Sequence, residues 1–201
     1  LRAAGLTDIG RVRRNNEDRF LCDPAAMFFG VADGVGGLPG GAEASECTLH
    51  EVQLQLRAHL GRGMPNLKKI VHHTNEAVQT LGREVSPDMG IASTLTFGHI
   101  RERTLHLAHV GDSRAYLWRQ GRLTPLTSDH SVENEAKARR ARGEKIFFHE
   151  VNRNALTRCM GQPTPPDPDL LAHEIQAGDR YLFCTDGITR LVNDAELDAI
   201  T

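Results

Sequence analysis

Apolar side chains recur at helical spacing in two long stretches of the chain. Residues 42–60 and 66–84 each carry apolar residues at intervals of three and four, which predicts two amphipathic helices. In the first helix the apolar stripe is expected to extend to Leu60. Stripes of this kind are typical of helices that pack on a core. A polar, arginine-rich stretch at 131–142 predicts a third helix.

Most of the remaining sequence predicts β-strands. Strand-like runs lie at 19–22, 27–32, 92–100, 104–110, 113–119 and 181–184. The links at 101–103 and at Gly111-Asp112 are too short for a helical crossover, so they permit antiparallel neighbours. Both faces of 104–110 are apolar, which predicts a sheet covered on both sides. The expected fold class is therefore α+β, with antiparallel sheets and helices packed outside them.

Composition and charge narrow the class of protein. The chain has 201 residues and a net charge of −2, which predicts one globular domain. This near-neutral balance argues against nucleic acid or an anionic membrane as the main partner. The longest apolar run is too short for a membrane span, and the first residues lack an apolar signal core. Four cysteines without C-x-x-C spacing predict buried, reduced thiols of a cytoplasmic protein without a zinc site.

Acidic residues at strand ends are the candidate chemistry. The acids in question are Glu17, Asp18, Asp33, Asp112 and Asp186, each next to a strand-like run. Carboxylates at buried strand ends are costly unless a counter-charge offsets their desolvation. Oxygen-only ligands suit Mg²⁺ or Mn²⁺ and not zinc. Asp-Gly is also the commonest turn dipeptide, so any one of these acids is compatible with a simple turn.

The glycine-rich loop at 33–41 does not match a nucleotide-binding loop. A G-x-G-x-x-G frame starting at Gly34 meets Pro39 in place of the third glycine, and a Walker frame starting at Gly36 lacks its lysine. Asp33 would also repel a pyrophosphate. We therefore expect these glycines to let the backbone approach a metal ion closely.

Two further features bear on phosphate chemistry. Arg13 lies four residues before Glu17 and is the best candidate for binding a phosphoryl group, although a solvated basic turn would look the same. Cys184 and Arg190 match the C-x5-R pattern of cysteine phosphatases. That chemistry needs a thiolate, which Asp186 would oppose, so we expect no cysteine nucleophile here.

Taken together, the motifs resemble those of the metal-dependent protein phosphatases, the type 2C serine/threonine family, in its bacterial form. The matching segments, in family order, are 8–18, 31–37, 92–95, 110–116, 126–131, 154–158 and 184–187. They cover nearly the whole chain and are specific as a set. The resemblance implies two antiparallel sheets in a sandwich flanked by helices, with a centre of two Mn²⁺ or Mg²⁺ ions.

The resemblance also implies a role for each acid. Asp33 would bridge the two metal ions, with Asp186 on one of them. The other ion would take Glu17 and the carbonyl of Gly34, with Asp18 beside them through water. Asp112 would contribute to a possible third ion.

Outside the metal centre, Arg13 would bind the substrate phosphate, and residues 131–153 would form a flap beside the site. A water molecule activated by the two ions would be the nucleophile.

Three departures from the family pattern matter. Val35 stands where eukaryotic members place a histidine, so the leaving group must take its proton from water or another group. Arg190 stands where some members carry an acid, which puts the third metal in doubt. The chain ends at Thr201, before the usual late Asp-Asn metal-binding motif. We therefore expect a phosphatase domain over 1–201 that is C-terminally incomplete, binds one of its two metal ions poorly and is weakly active or inactive, unless another acid such as Asp194 replaces the missing ligand.

The leading hypothesis is metal-dependent hydrolysis of phosphoserine and phosphothreonine in proteins, with a kinase or its targets as substrates. The alternative is a non-catalytic, phosphatase-like regulatory or binding module. A dinucleotide-binding enzyme is disfavoured by the failed glycine frame and the antiparallel strands.

Overall fold

Eight strands form two antiparallel sheets in the computed structural model, which describes residues 1–37 and 39–200. The strands are β1 (Asp18–Asp23), β2 (Phe28–Asp33), β3 (Leu95–Arg101), β4 (Thr104–Val110), β5 (Arg114–Arg119), β6 (Arg122–Pro125), β7 (Asp169–Glu174) and β8 (Arg180–Cys184). One sheet has the order β1-β2-β3-β4-β7, and the other has the order β6-β5-β8. Leu38, in the predicted glycine loop, and Thr201 lie outside the described residues.

The helices are α1 (Gly41–Ala58), α2 (Leu67–Val85), α3 (Val132–Ala141), the short α4 (Asp186–Thr189) and α5 (Asp194–Ile200), with a 3-10 turn at Glu150–Asn152. The three predicted helices are confirmed to within about two residues at each end. Leu60 was wrongly placed in the apolar stripe, since α1 ends at Ala58 and Leu60 is exposed. α5 was not predicted, because its seven residues are too few to show a helical period.

The first two helices cover one face of the larger sheet. Their apolar stripes, including Val52 and Val71, are fully buried against Phe28 and Phe97 of the sheet. Burial of each such side chain contributes about 1.5–3 kcal/mol relative to exposure. This layer holds β1 and β2 in place, and it also fixes the start of α1 beside the end of β2.

The opposite face of the larger sheet packs on the smaller one. A Cβ on Gly98 of β3 would lie only 3.1 Å from the Phe183 ring of β8, so the two sheets approach closely at this glycine. Leu105 and Leu107 are almost fully buried, as are Ala108 and Val110, which alternate with them. Both faces of β4 are therefore covered, as predicted. The fold class of two antiparallel sheets flanked by helices is confirmed.

The link between β4 and β5 differs from the expectation. Although it is very short, it does not join antiparallel neighbours, because β4 pairs with β3 and β7 while β5 pairs with β6 and β8. The chain instead passes from one sheet to the other at Gly111, whose φ of +111° suits glycine. Asp112 is thereby placed where the two sheets meet.

All four cysteines are free thiols, but only Cys184 is buried. Cys22, Cys47 and Cys159 are partly exposed, so the expectation of burial was wrong for them. Among the described residues, no helix has the length and apolar character needed to cross a membrane.

Candidate active site

Two aspartates from adjacent strands face each other at one edge of the larger sheet. Asp18 begins β1 and Asp33 ends β2, and the strand register places them directly opposite one another. Side chains at opposed positions on neighbouring strands lie on the same face, about 4.5–5.5 Å apart at Cβ. The β1–β2 pairing therefore brings together two acids that are 15 residues apart in sequence.

The smaller sheet adds a third carboxylate. Asp186 follows β8 at the start of α4, and its carboxyl group and that of Asp18 both lie close to the Asp33 carboxyl. Thr185 donates its hydroxyl to Asp18 Oδ2 at 2.9 Å, which ties the end of β8 to the start of β1. The edge is thus built from both sheets, with Asp33 between the other two acids.

Burial and the two neighbouring carboxylates raise the pKa of Asp33 to about 9. The backbone around Asp33 is held firmly, because its N–H donates to Thr94 Oγ1 at 2.9 Å and its carbonyl accepts from the Thr94 N–H at 2.8 Å. Three carboxylates crowded in this way favour either a shared proton or a cation. Their all-oxygen donor set fits Mg²⁺ or Mn²⁺.

Glu17 is placed beside Gly34 by a close backbone approach. The Gly34 N–H donates to the Glu17 carbonyl at 3.1 Å, and a Cβ on Gly34 would overlap the carbonyl of Gly41. A Cβ on Gly41 would in turn lie 2.7 Å from Glu17 Oε1. These two glycines therefore make room for the Glu17 carboxylate and the start of α1.

Arg13 lies at the open side of this cluster. Its Nη1 is 3.7 Å from Glu17 Oε2, and a Cβ on Gly36 would lie 3.1 Å from the same nitrogen. The side chain is 63% exposed, so most of the guanidinium faces solvent. A positive charge at this position can receive an anion that approaches the acids.

Asp112 lies on the far side of Asp186. Burial and the Asp186 carboxylate raise its pKa to about 6, although Arg190 opposes this rise. Arg190 forms an ion pair with Asp186, and its Nη2 lies 3.9 Å from Asp112 Oδ2. Asp18, Asp33, Asp186 and Asp112 therefore form one continuous group, and Glu17 lies beside Gly34, the residue after Asp33.

These carboxylates are paired with each other or with arginines and are not spread around a common centre. Among residues 1–37 and 39–200, no set of three histidine, cysteine or acidic side chains is arranged to enclose a metal ion. The fit to a cation therefore rests on donor chemistry and on the crowding around Asp33.

Asp194 does not join this group. It accepts a hydrogen bond from the Tyr116 hydroxyl at 2.8 Å and lies 3.5 Å from Arg114. The suggestion that it replaces a metal ligand was therefore wrong, because it instead ties α5 to β5.

Several supporting residues were not predicted from the sequence. Besides Thr94 and Thr185, His130 holds the turn that carries Asp112: its N–H donates to the Gly111 carbonyl at 2.7 Å, and its Nδ1 accepts from the Gly111 N–H at 3.1 Å. His130 lies in one of the motifs quoted above, but nothing local in the sequence indicates a partner 19 residues away.

The cysteine-phosphatase pattern is not realised. Burial raises the pKa of the Cys184 thiol to about 11, which disfavours the thiolate. Arg190, which would have to bind phosphate in that mechanism, is paired with Asp186.

Comparison with known proteins identifies the family. The family model for protein phosphatase 2C matches residues 5–200. The chain belongs to the protein phosphatase 2C family. It is 34% identical to the serine/threonine protein phosphatase PstP of Mycobacterium tuberculosis over 202 residues, which is 96% of this chain and 37% of that protein.

Solved structures of this family have the same fold. A Pseudomonas aeruginosa structure described as "PppA, a key regulatory component of T6SS" gives a TM-score of 0.82 at 28% identity, covering 99% of this chain and 83% of that one. The catalytic domain of PstP in complex with two manganese ions gives a TM-score of 0.75 at 31% identity, covering 94% and 79% of the two chains.

Family membership settles the class of chemistry. Protein phosphatase 2C enzymes are metal-dependent serine/threonine protein phosphatases, and this function agrees with the fold and with the named relatives. The alternative of a non-catalytic module receives no support from these comparisons.

The crowding around Asp33 predicts a pH-dependent cost to stability without metal. Asp33 titrates near 3.8 in an unfolded chain and near 9 in the fold, so the folded state keeps a proton that the unfolded state releases. Wild-type stability should therefore fall as the pH rises from about 4 to about 9. In EDTA at pH 8, Asp33→Asn should melt several degrees above wild type, and the difference should shrink towards pH 4.

Asp88→Asn, in the exposed turn after α2, is the matched control and should change little at either pH. If Asp33→Asn melts at or below the wild-type temperature at pH 8, the carboxylates do not repel one another as described.

Proposed function

We propose that this chain hydrolyses phosphoserine and phosphothreonine in proteins at the acidic group around Asp33. The observation that carries the proposal is the Asp33 carboxyl held between Asp18 and Asp186, which draws acids from both sheets to one point. Such an arrangement is costly in the absence of positive charge and is suited to divalent cations.

The ligand assignment follows the donors at this edge. Asp33 would lie between two ions, with Asp186 on one side and Glu17 and the Gly34 carbonyl on the other. Asp18 stands beside them. Mn²⁺ and Mg²⁺ both suit this oxygen set. Ions held by these residues would supply a water molecule of lowered pKa as the nucleophile towards phosphorus.

The side chains around the centre have separate roles in substrate binding, metal binding and proton transfer. Arg13 binds the phosphoryl oxygens at the open side, where its charge is largely solvent-facing. Bound cations would offset the repulsion between Asp33 and its neighbours, so Asp33 would serve them as a carboxylate ligand. Val35, next to Gly34, cannot donate a proton, so the leaving alkoxide takes one from water or from another group.

Residues 131–153 are proposed as the flap beside this site. Backbone hydrogen bonds join the two ends of this segment. The Val132 N–H donates to the Ala155 carbonyl at 3.0 Å, and the Thr157 N–H donates to the His130 carbonyl at 2.9 Å. Because His130 also holds Gly111, the base of the segment is joined to the turn that carries Asp112.

The proposed substrates are phosphoproteins, among them a kinase or its targets, as expected from the family. We propose the cytoplasm as the location, because free thiols are typical of a reducing compartment.

Turnover should depend on Asp33 and on metal, and not on Cys184. Asp33→Asn should lower the rate on a phosphothreonine peptide at least about a hundredfold, since changes around metal ligands already cost roughly 10–100-fold. Cys184→Ser should retain near wild-type activity. Initial rates with Mn²⁺ and with excess EDTA decide this. The reverse pattern, with Cys184 essential and Asp33 dispensable, would sink the metal-water mechanism.

Arg13→Ala should act mainly on substrate binding. Loss of a charged hydrogen bond costs roughly 1.5–3 kcal/mol, so KM should rise about tenfold or more while kcat changes little. Arg14→Ala, the neighbouring exposed arginine, is the control and should leave KM nearly unchanged. An unaltered KM in Arg13→Ala removes this residue from the phosphate site.

A further inference from the structure

The guanidinium of Arg190 faces two carboxylates that come from different parts of the chain. Its Nη2 contacts Asp186 Oδ2 and lies 3.9 Å from Asp112 Oδ2. The two acidic side chains are only 22% and 14% exposed, whereas Arg190 is 53% exposed. One cationic nitrogen therefore covers both acids from the solvent side.

The backbone fixes this placement. Asp186 and Arg190 are four residues apart, and the Arg190 N–H donates to the Asp186 carbonyl at 3.0 Å, so their side chains share one face of a helical turn. Asp112 reaches the same point through the turn at Gly111, which His130 holds in place. The three side chains meet because two separate, hydrogen-bonded turns bring them together.

We propose that Arg190 is a built-in counter-ion that takes the place of a divalent cation between Asp112 and Asp186. The inference rests on the proposed metal centre, and it limits that centre to the ions held around Asp33. An arginine stays protonated at every accessible pH. A divalent cation that bridged the same two carboxylates would lie beside this charge and be repelled by it.

The consequence concerns which cations bind, and not how stable the fold is. Ion pairs as exposed as those of Arg190 contribute little to stability. Their effect here is local, because Asp112 already has a positive partner and offers no free pair of acids to a metal ion.

Equilibrium dialysis with Mn²⁺ tests the proposal by counting bound ions. Arg190→Glu should bind one more Mn²⁺ per chain than wild type, because it removes the cation and adds a carboxylate. Adding Asp112→Asn to Arg190→Glu should remove that extra ion. Arg62→Glu makes the same charge change just beyond the far end of α1, about 25 Å from the helix start at 1.5 Å per residue, and should match wild type.

If thermal melting shows that Arg190→Glu does not fold, Arg190→Gln is the second variant to test. It should bind the extra ion more weakly, at higher free Mn²⁺. The proposal is overturned if the folded Arg190 variants bind the same number of Mn²⁺ ions per chain as wild type. It is also overturned if Asp112→Asn alone binds fewer Mn²⁺ ions than wild type.

Failure of the underlying metal centre has a different signature. In that case Asp33→Asn would leave the wild-type Mn²⁺ count unchanged. A gain in Arg190→Glu would still support the counter-ion role of Arg190.

Discussion

The repulsion between Asp33 and its two neighbouring carboxylates is the constraint on which the site depends. Strand pairing places Asp18 opposite Asp33, and the end of β8 adds Asp186 from the other sheet. The fold therefore assembles negative charge at a place where burial makes it costly. Divalent cations, on which the protein phosphatase 2C family depends, would offset this charge.

The rest of the molecule serves to hold this edge in register. α1 and α2 bury the outer face of the larger sheet, and the close approach of Gly34 to Gly41 leaves room for the Glu17 carboxylate beside the start of α1. Thr94 fixes the Asp33 backbone from the neighbouring strand. Arginines stand at both ends of the acidic group, with Arg13 facing solvent beside Glu17 and Arg190 paired with Asp186.

Much of this could be predicted from the sequence, because the strands and the Asp-Gly turns are local signals. The apolar run before Asp33 and the helical stripes of 42–60 and 66–84 were sufficient for the fold class. The passage between sheets at Gly111 was not predictable, since a short link is equally compatible with a hairpin. The ion pair of Arg190 with Asp112 and the hydrogen bonds between His130 and Gly111 were not predicted either, because each depends on a long-range contact.

The central claim is that the acids around Asp33 form a metal centre. Anomalous diffraction from crystals grown with Mn²⁺ tests it most directly, because it locates the ions independently of activity. The expected result is two manganese peaks in contact with the Asp33 carboxylate, with Asp186 and Glu17 among the other ligands. Well-ordered Asp33, Asp18 and Asp186 side chains with no manganese beside them, at saturating Mn²⁺, would contradict the claim.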